Sequence, residues 1–285
     1  MRLFGIFLLL LLFVGCNKEK QKAPEAYLIQ SGTVSVSCPT VQGTSSHKIT
    51  DIWYYVNGKF KGAFPVGSMF PIPATGPSSL VFFPGIKNNG ISATRQPYEF
   101  YSAIYLDTSV APGTIVNRNF TFTYKTGTVF RWLENFEGYG TTSGISIKKS
   151  NNTDTSFAIL TSSMVPTPDI FEGNKCMYFA TDNDKRIAQF QSVATFPLPK
   201  DGQPVYLELN YKCTDAFEVG VWSGTQFWFV AGVNSSENWN KIYIQLSSGV
   251  SQLSGDCGWY IKTLKQNSST AKSEFWIDNI KILSY

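Results

Sequence analysis

Apolar positions along this chain recur at every second residue, without the alternating three- and four-residue spacing of a helix face. The segments TVSVSC (Thr33 to Cys38) and NFTFTY (Asn119 to Tyr124) alternate without a break. No stretch of about a dozen residues carries the i, i+3, i+4, i+7 pattern of an amphipathic helix. Short alternating or fully apolar runs, bounded by Gly, Pro, Asn and Ser, dominate instead, as in β-sandwiches and barrels. The pattern predicts an all-β protein. Its clearest local signal is DIWYYVNGKFKGAF, two strand-like runs around Asn57-Gly58, the preferred pair for a two-residue hairpin turn.

The runs group into two units. TVSVSC, the hairpin, SLVFFPGI, YEFYSAIYLD and NFTFTY make a first unit over 27–126, a usual length for an immunoglobulin-like sandwich. The turn-rich Lys125 to Thr128 reads as the joint. The second unit, 127–285, runs from WLENFEGYG through KCMYFATD, RIAQFQSVATF, VYLELNYKC, FEVGVW, QFWFVAGV, KIYIQLSS and GWYIKTLKQ to EFWIDNIKIL. So many strands in that length predict a jelly roll, two antiparallel sheets face to face.

Both units carry resemblances. From Asn135 to Tyr285 the chain resembles the jelly-roll domains of carbohydrate-binding modules and related surface-protein domains. The matching segments are NFEG, EGNKCMYF, NWNKIYIQL and the closing WIDNIKI, in that order. The first unit resembles immunoglobulin-like domains of lipoproteins from Bacteroidota, through ITDIWYYVNG and FFPGIKNNGISATRQPYEFY. The resemblance of the second unit implies sugar binding; that of the first says little about activity, and the first unit is read as a spacer.

The N-terminus adds an address. Arg2 precedes an apolar run from Leu3 to Val14, shorter than the roughly 20 residues of a membrane-spanning helix. It reads as a secretory signal over 1–15. Phe13-Val14-Gly15-Cys16 resembles a lipobox, which implies that Cys16 becomes a diacylated N-terminus. The charged, Pro-containing residues that follow fit a flexible tether over 16–26. The expected location is the outer membrane, lipid-anchored, on the cell surface. Of the remaining cysteines, Cys38, Cys176, Cys213 and Cys257 allow three disulfide pairings, with Cys213–Cys257 the bridge to look for; otherwise they are small buried hydrophobes.

Charge narrows the partners. Lys and Arg total 24 against 20 Asp and Glu, and the positive charges are scattered rather than striped, so no nucleic-acid partner is expected. Enzyme constellations are missing as well. The single histidine, His47, can build neither a His-rich zinc site nor a Ser-His-Asp triad with a GxSxG elbow. Glu134 with Glu137, and Asp182 with Asp184, are close in sequence but sit in no recognisable glycosidase pattern. A non-catalytic protein is expected.

Aromatic residues are the binding candidates. Trp222, Trp228, Trp239, Trp259, Tyr139 and Tyr260 crowd the second unit. In FEVGVW, Trp222 alternates with Phe217, Val219 and Val221; in QFWFVA, Trp228 alternates with Phe227 and Phe229. If the Phe and Val positions are core, Trp222 and Trp228 face outward together, with Tyr260 and Lys262 beside them as a ligand platform. The competing reading buries these tryptophans in the core or the domain joint. Trp239 is read as packing. Two partners remain in play: glycan, or an outer-membrane protein complex on which the sandwich docks.

The closing strand holds the last candidate. Phe275 and Ile277 share one parity, Ile280 and Ile282 the other, so the apolar pattern slips at Asp278-Asn279, as at a β-bulge. The resembling jelly rolls often bind a structural calcium ion where the first and last strands meet. That implies Glu137, the turn at Asn174, and Asp278 as ligands. Alternatively Asp278 pairs with Lys281 or accepts backbone N–H groups at the bulge.

Overall fold

The computed structural model describes residues 25–138, 146–265 and 272–285; the expected signal, Cys16 with nearly all of its tether, and Tyr139 lie outside them. The first unit contains β1 (Ala26–Val36), β2 (Asp51–Val56), β3 (Lys59–Pro65), β4 (Met69–Pro73), β5 (Ser78–Lys87), β6 (Arg95–Pro97), β7 (Ile104–Thr108) and β8 (Ile115–Phe122). They form two sheets, β4-β1-β8 and β3-β2-β5-β6, with β7 also on β5. The first and last strands run parallel. The β2–β3 hairpin turns at Asn57 and Gly58, both at positive φ (49° and 75°).

The second unit contains β9 (Val129–Glu134), β10 (Ile147–Lys149), β11 (Phe157–Thr161), β12 (Lys175–Asp182), β13 (Ile187–Ser192), β14 (Tyr206–Cys213), β15 (Phe217–Ser223), β16 (Gln226–Val233), β17 (Ser236–Gln245), β18 (Gly258–Leu264) and β19 (Lys272–Ser284). A single helical turn, α1 (Ser247–Val250), follows β17. One sheet has the order β10-β13-β18-β15-β16; the other has β11-β12-β19-β14-β17, with β9 also on β19. The protein is all-β, a pair of sandwiches. No helix among the described residues is long and apolar enough to cross a membrane.

Alternation along each strand sends one set of side chains between the sheets. Leu207 and Leu209 of β14, Ile242 and Ile244 of β17, and Val219 and Val221 of β15 fill the second core. Phe275, Ile277, Ile280 and Ile282 of β19 all enter it despite their split parity. The slip is absorbed between Asp278 and Lys281, where β19 carries one residue more than β14 opposite it. Asn279 takes a positive φ of 50° there. The four cysteines are free thiols, so the Cys213–Cys257 bridge is absent: Cys213 ends β14, whereas Cys257 bridges Phe196 ahead of β18.

The outward side chains of the β14-β17-β19 face meet the first unit. Tyr206, Tyr243 and Leu283 belong to the first unit's core. Between them, Glu208 and Lys241 form an ion pair at 2.8 Å with side chains 0% and 2% exposed. Tyr98 donates to Glu208 Oε1 at 2.7 Å and Tyr124 to Oε2 at 3.0 Å. Lys281 Nζ donates to the Thr44 carbonyl at 2.7 Å and to Tyr124 Oη at 3.2 Å, not to Asp278. Burial pushes the Lys281 ammonium down to about 8, against the pull of Glu208. Backbone contacts complete the joint, with Asn89 N donating to the Tyr243 carbonyl at 2.9 Å. The two sandwiches therefore share a buried, hydrogen-bonded seam.

Candidate functional site: the open face of the second sandwich

The other sheet of the second sandwich keeps its outer face open. Strand pairing lays its outward residues in rows. One row runs Lys148, Gln191, Tyr260, Gly220, Phe229 across β10, β13, β18, β15 and β16. A second carries Gly258, Trp222 and Phe227. A third carries Gln189, Lys262 and Glu218. The segment AQFQ in β13 shows why: Ala188 and Phe190 fill the core, so Gln189 and Gln191 take the open side.

Two glycines let the rings lie flat. A Cβ at Gly258 would come within 2.3 Å of Trp222 Nε1, and one at Gly220 within 2.4 Å of the Tyr260 ring. Trp222 stacks on Phe227 at 6.4 Å between centroids, and Phe227 meets Tyr260 edge-on at 5.3 Å. Trp222 Nε1 donates to Ser192 Oγ at 3.4 Å. Lys148 Nζ lies 5.0 Å from the centre of the indole ring. Burial, with Glu218 adding to it, pushes the Tyr260 hydroxyl up to about 12, so it stays protonated at neutral pH. The result is a groove of about 590 Å³ bordered by the Lys148–Asn152 segment and the β15–β16 turn. Gln191 Oε1 in its floor accepts from Ser150 Oγ, and the exposed Phe227 ring can meet sugar C–H groups.

Trp222, Tyr260 and Lys262 thus come together, and Trp228 does not. Trp228 pairs with Val221, an inward residue, so it lies on the opposite side of the sheet from Trp222. The cause is a bulge. Val219 pairs with Ala231 and Gly220 with Phe229, leaving Val230 as an extra residue that reverses the parity of everything before it. Phe227 and Phe229, read as core, face outward and are 42% and 53% exposed. Trp228 borders Gly249 of α1 instead. Phe227, Gln189, Gln191 and Lys148 are the groove residues that pattern reading missed. Trp239 packs on Phe171 at 5.5 Å and donates to Asp169 at 3.1 Å.

Glu137, Asn174 and Asp278 also gather, at the turn leading into β12. Glu137 Oε1 accepts the N–H groups of Asn174 and Lys175 at 2.7 and 2.8 Å. Asp278 Oδ1 accepts Asn279 N at 2.7 Å, and Oδ2 accepts Glu172 N at 3.3 Å. Burial pushes the Asp278 carboxyl up to about 8, with Glu172 and Glu137 adding to the rise. Glu172 brings a third carboxylate, which accepts Asn279 Nδ2 at 3.0 Å. This all-oxygen donor set suits calcium chemically. Among the described residues, however, no three His, Cys, Asp or Glu side chains are already converged as a metal centre.

Two of the residues weighed for catalysis are engaged in local hydrogen bonds. His47 Nδ1 accepts Ile49 N at 3.3 Å while Nε2 contacts the Val34 carbonyl, and burial lowers its pKa. Glu134 Oε1 accepts Phe136 N at 2.8 Å, and burial raises its pKa.

No protein-family model matches the sequence, and no curated relative matches it. Solved structures similar to part of the chain include carbohydrate-binding modules with β-sandwich folds. TmCBM61 in complex with β-1,4-galactotriose is 13% identical over 53% of this chain and 94% of its own, with a TM-score of 0.36. A mutant form of CBM29-2, a family 29 module, is 8% identical over 54% and 91%, TM-score 0.33. The family 11 module from Clostridium thermocellum, in complex with a β-1,3-1,4-mixed-linked tetrasaccharide, is 15% identical over 52% and 92%, TM-score 0.34. The functional reading below rests on the groove itself.

Proposed function

We propose that this protein is a non-catalytic cell-envelope lipoprotein whose second sandwich binds glycan in the groove of the β10-β13-β18-β15-β16 sheet. One observation carries the reading: Trp222, Phe227, Tyr260, Gln189 and Gln191 line one groove on the outer face of the sheet, with Phe227 as its exposed ring. Sugar sites need that mixture of ring surface and fixed hydrogen-bonding groups. Affinity electrophoresis of the full chain against a panel of soluble polysaccharides tests it. Retardation by at least one polysaccharide is expected, and it should weaken in Tyr260→Phe and Gln189→Ala. A chain that migrates freely through every gel sinks the reading.

A second reading, docking on an outer-membrane protein complex, is favoured by the first unit. Its β3-β2-β5-β7 face carries a row of Phe60, Tyr55, Val81 and Tyr105, with Phe60 49% and Tyr105 73% exposed. Crosslinking from intact membranes should then capture one defined outer-membrane protein, and Tyr105→Ser should reduce the capture. If capture is unchanged in that variant, this face is not the contact.

Two further parts of the proposal concern the envelope and the metal. Cys16 carries the lipid and anchors the chain in the outer membrane at the cell surface. A Cys16→Ser variant should leave the membrane fraction; retention there would refute the anchor. Glu137, Glu172, Asp278 and the turn at Asn174 hold a structural calcium ion, which ties the closing strand to that turn. Calcium bound only by the folded chain raises Tm with its concentration. EGTA should lower Tm in the wild type and leave Asp278→Asn unmoved. Equal melting of the wild type with and without EGTA excludes the ion.

A further inference from the structure

The groove carries a chemistry that glycan binding alone does not require. Three ammonium groups line it, Lys148 and Lys149 from β10 and Lys262 from β18, and none of its described lining residues is an acid. Among the described residues, ion pairs join Lys212 to Asp169, Lys241 to Glu208, Lys272 to Glu274 and Arg95 to Asp51, and none involves these three lysines. Glu218 is the cross-strand partner of Lys262, yet it lies outside the lining and forms no ion pair with it.

The rings themselves are largely covered. Trp222 is only 8% exposed and Tyr260 4%, which leaves Phe227 as the open aromatic surface. The Lys148 ammonium sits over the Trp222 indole, where a stacked pyranose would lie. A neutral sugar would have to displace that ammonium and offer it no charge in return. An anionic sugar offers a charge-assisted hydrogen bond, stronger than the exposed cation–π contact given up.

We propose that the groove's ligand is an acidic glycan, with sugar rings bearing carboxylate or sulfate groups. Lys148 and Lys262 take the anionic groups, above a floor formed by Gln189 and Gln191, where Gln191 Oε1 already accepts from Ser150 Oγ. This rests on the glycan-binding reading above and narrows it to one chemical class.

Calorimetric titration of the full chain at about 0.15 M salt, where long-range attraction is screened, tests it with two matched pairs. Oligogalacturonate is set against its methyl ester, and dextran sulfate against dextran. The acidic member of at least one pair should bind about tenfold or more tighter than its neutral partner, the effect of one charge-assisted hydrogen bond. Which pair responds distinguishes carboxylate from sulfate. Lys148→Gln and Lys262→Gln should each remove most of that preference. Lys59→Gln and Lys61→Gln, on the exposed β3 strand of the first unit, should leave it within about twofold. Equal affinity within both pairs overturns the inference and leaves glycan binding standing. So does retention on a neutral polysaccharide with no binding of either acidic probe. Equal losses from the β3 lysines show unspecific attraction of polyanions and overturn it too. Failure of every polysaccharide, acidic or neutral, overturns both readings.

Discussion

The second sandwich has two outer faces built from the same residue types with opposite fates. On one, Glu208, Lys241, Lys281, Tyr206 and Tyr243 are buried beneath the first unit. On the other, Phe227, Lys148 and Lys262 border an open groove floored by Gln191 and Tyr260. Charged and aromatic residues at outward strand positions therefore do not by themselves mark a binding site. A buried charge survives only with partners, and Glu208 has four: Tyr98, Tyr124, Lys241 and the nearby Lys281. Among the described residues the groove lysines form no ion pair, and Lys148 has only its contact with the Trp222 ring.

The largest effect should come from the covered face. Glu208→Leu strands two buried ammonium groups and should lower the unfolding free energy by about 3–5 kcal/mol, read by urea denaturation. Replacing Lys241 and Lys281 by Met in the same chain should recover most of that loss. A single variant as stable as the wild type would mean that water enters the seam, and the contrast between the faces would collapse.

Acid should separate the faces next. Burial raises the pKa of Glu208, but Lys241 and Lys281 outweigh it, and the net shift is downward. A depressed carboxyl contributes stability above its unfolded pKa of about 4.3 and loses it as pH falls through the folded value. Wild-type stability should therefore fall with pH below about 4 more steeply than that of Glu208→Gln. Parallel acid profiles would show that Glu208 carries no such linkage.

On the open face the expected changes are in binding. Phe227→Ala should weaken glycan binding about three- to tenfold, with a small stability change because the ring is 42% exposed. Loss of the folded state in near-ultraviolet circular dichroism would instead make Phe227 part of the core. The smallest effect belongs to Trp228→Ala, which should leave affinity within about twofold, since that ring lies across the sheet from the groove. A larger drop would mean that the Val230 bulge does not hold in solution.

Much of this was legible from period alone. Alternation in β13, β14 and β15 separates core from surface, Asn57-Gly58 turns as its residue types require, and the parity slip at Asp278-Asn279 falls at a real bulge. Slips are readable when apolar residues flank both sides. At Val230 they were not, because FWFVAGV is apolar at nearly every position and offers no polar marker of where the extra residue sits.

The sequence by itself determined the all-β class, most of the strands and which residues of most strands share a side, because side-chain direction alternates with a fixed period of two along a strand; the short β4, β10 and β11 carried no readable alternation. It did not determine which side is covered, and Glu208 and Lys262 look alike in a pattern of outward polar residues. Only the tertiary structure decided that one face docks on Tyr98, Tyr101 and Tyr124 while the other stays open. Those contacts join residues far apart in the chain, 110 positions for Tyr98 and Glu208 and 84 for Tyr124 and Glu208, and a local period carries no information across that distance.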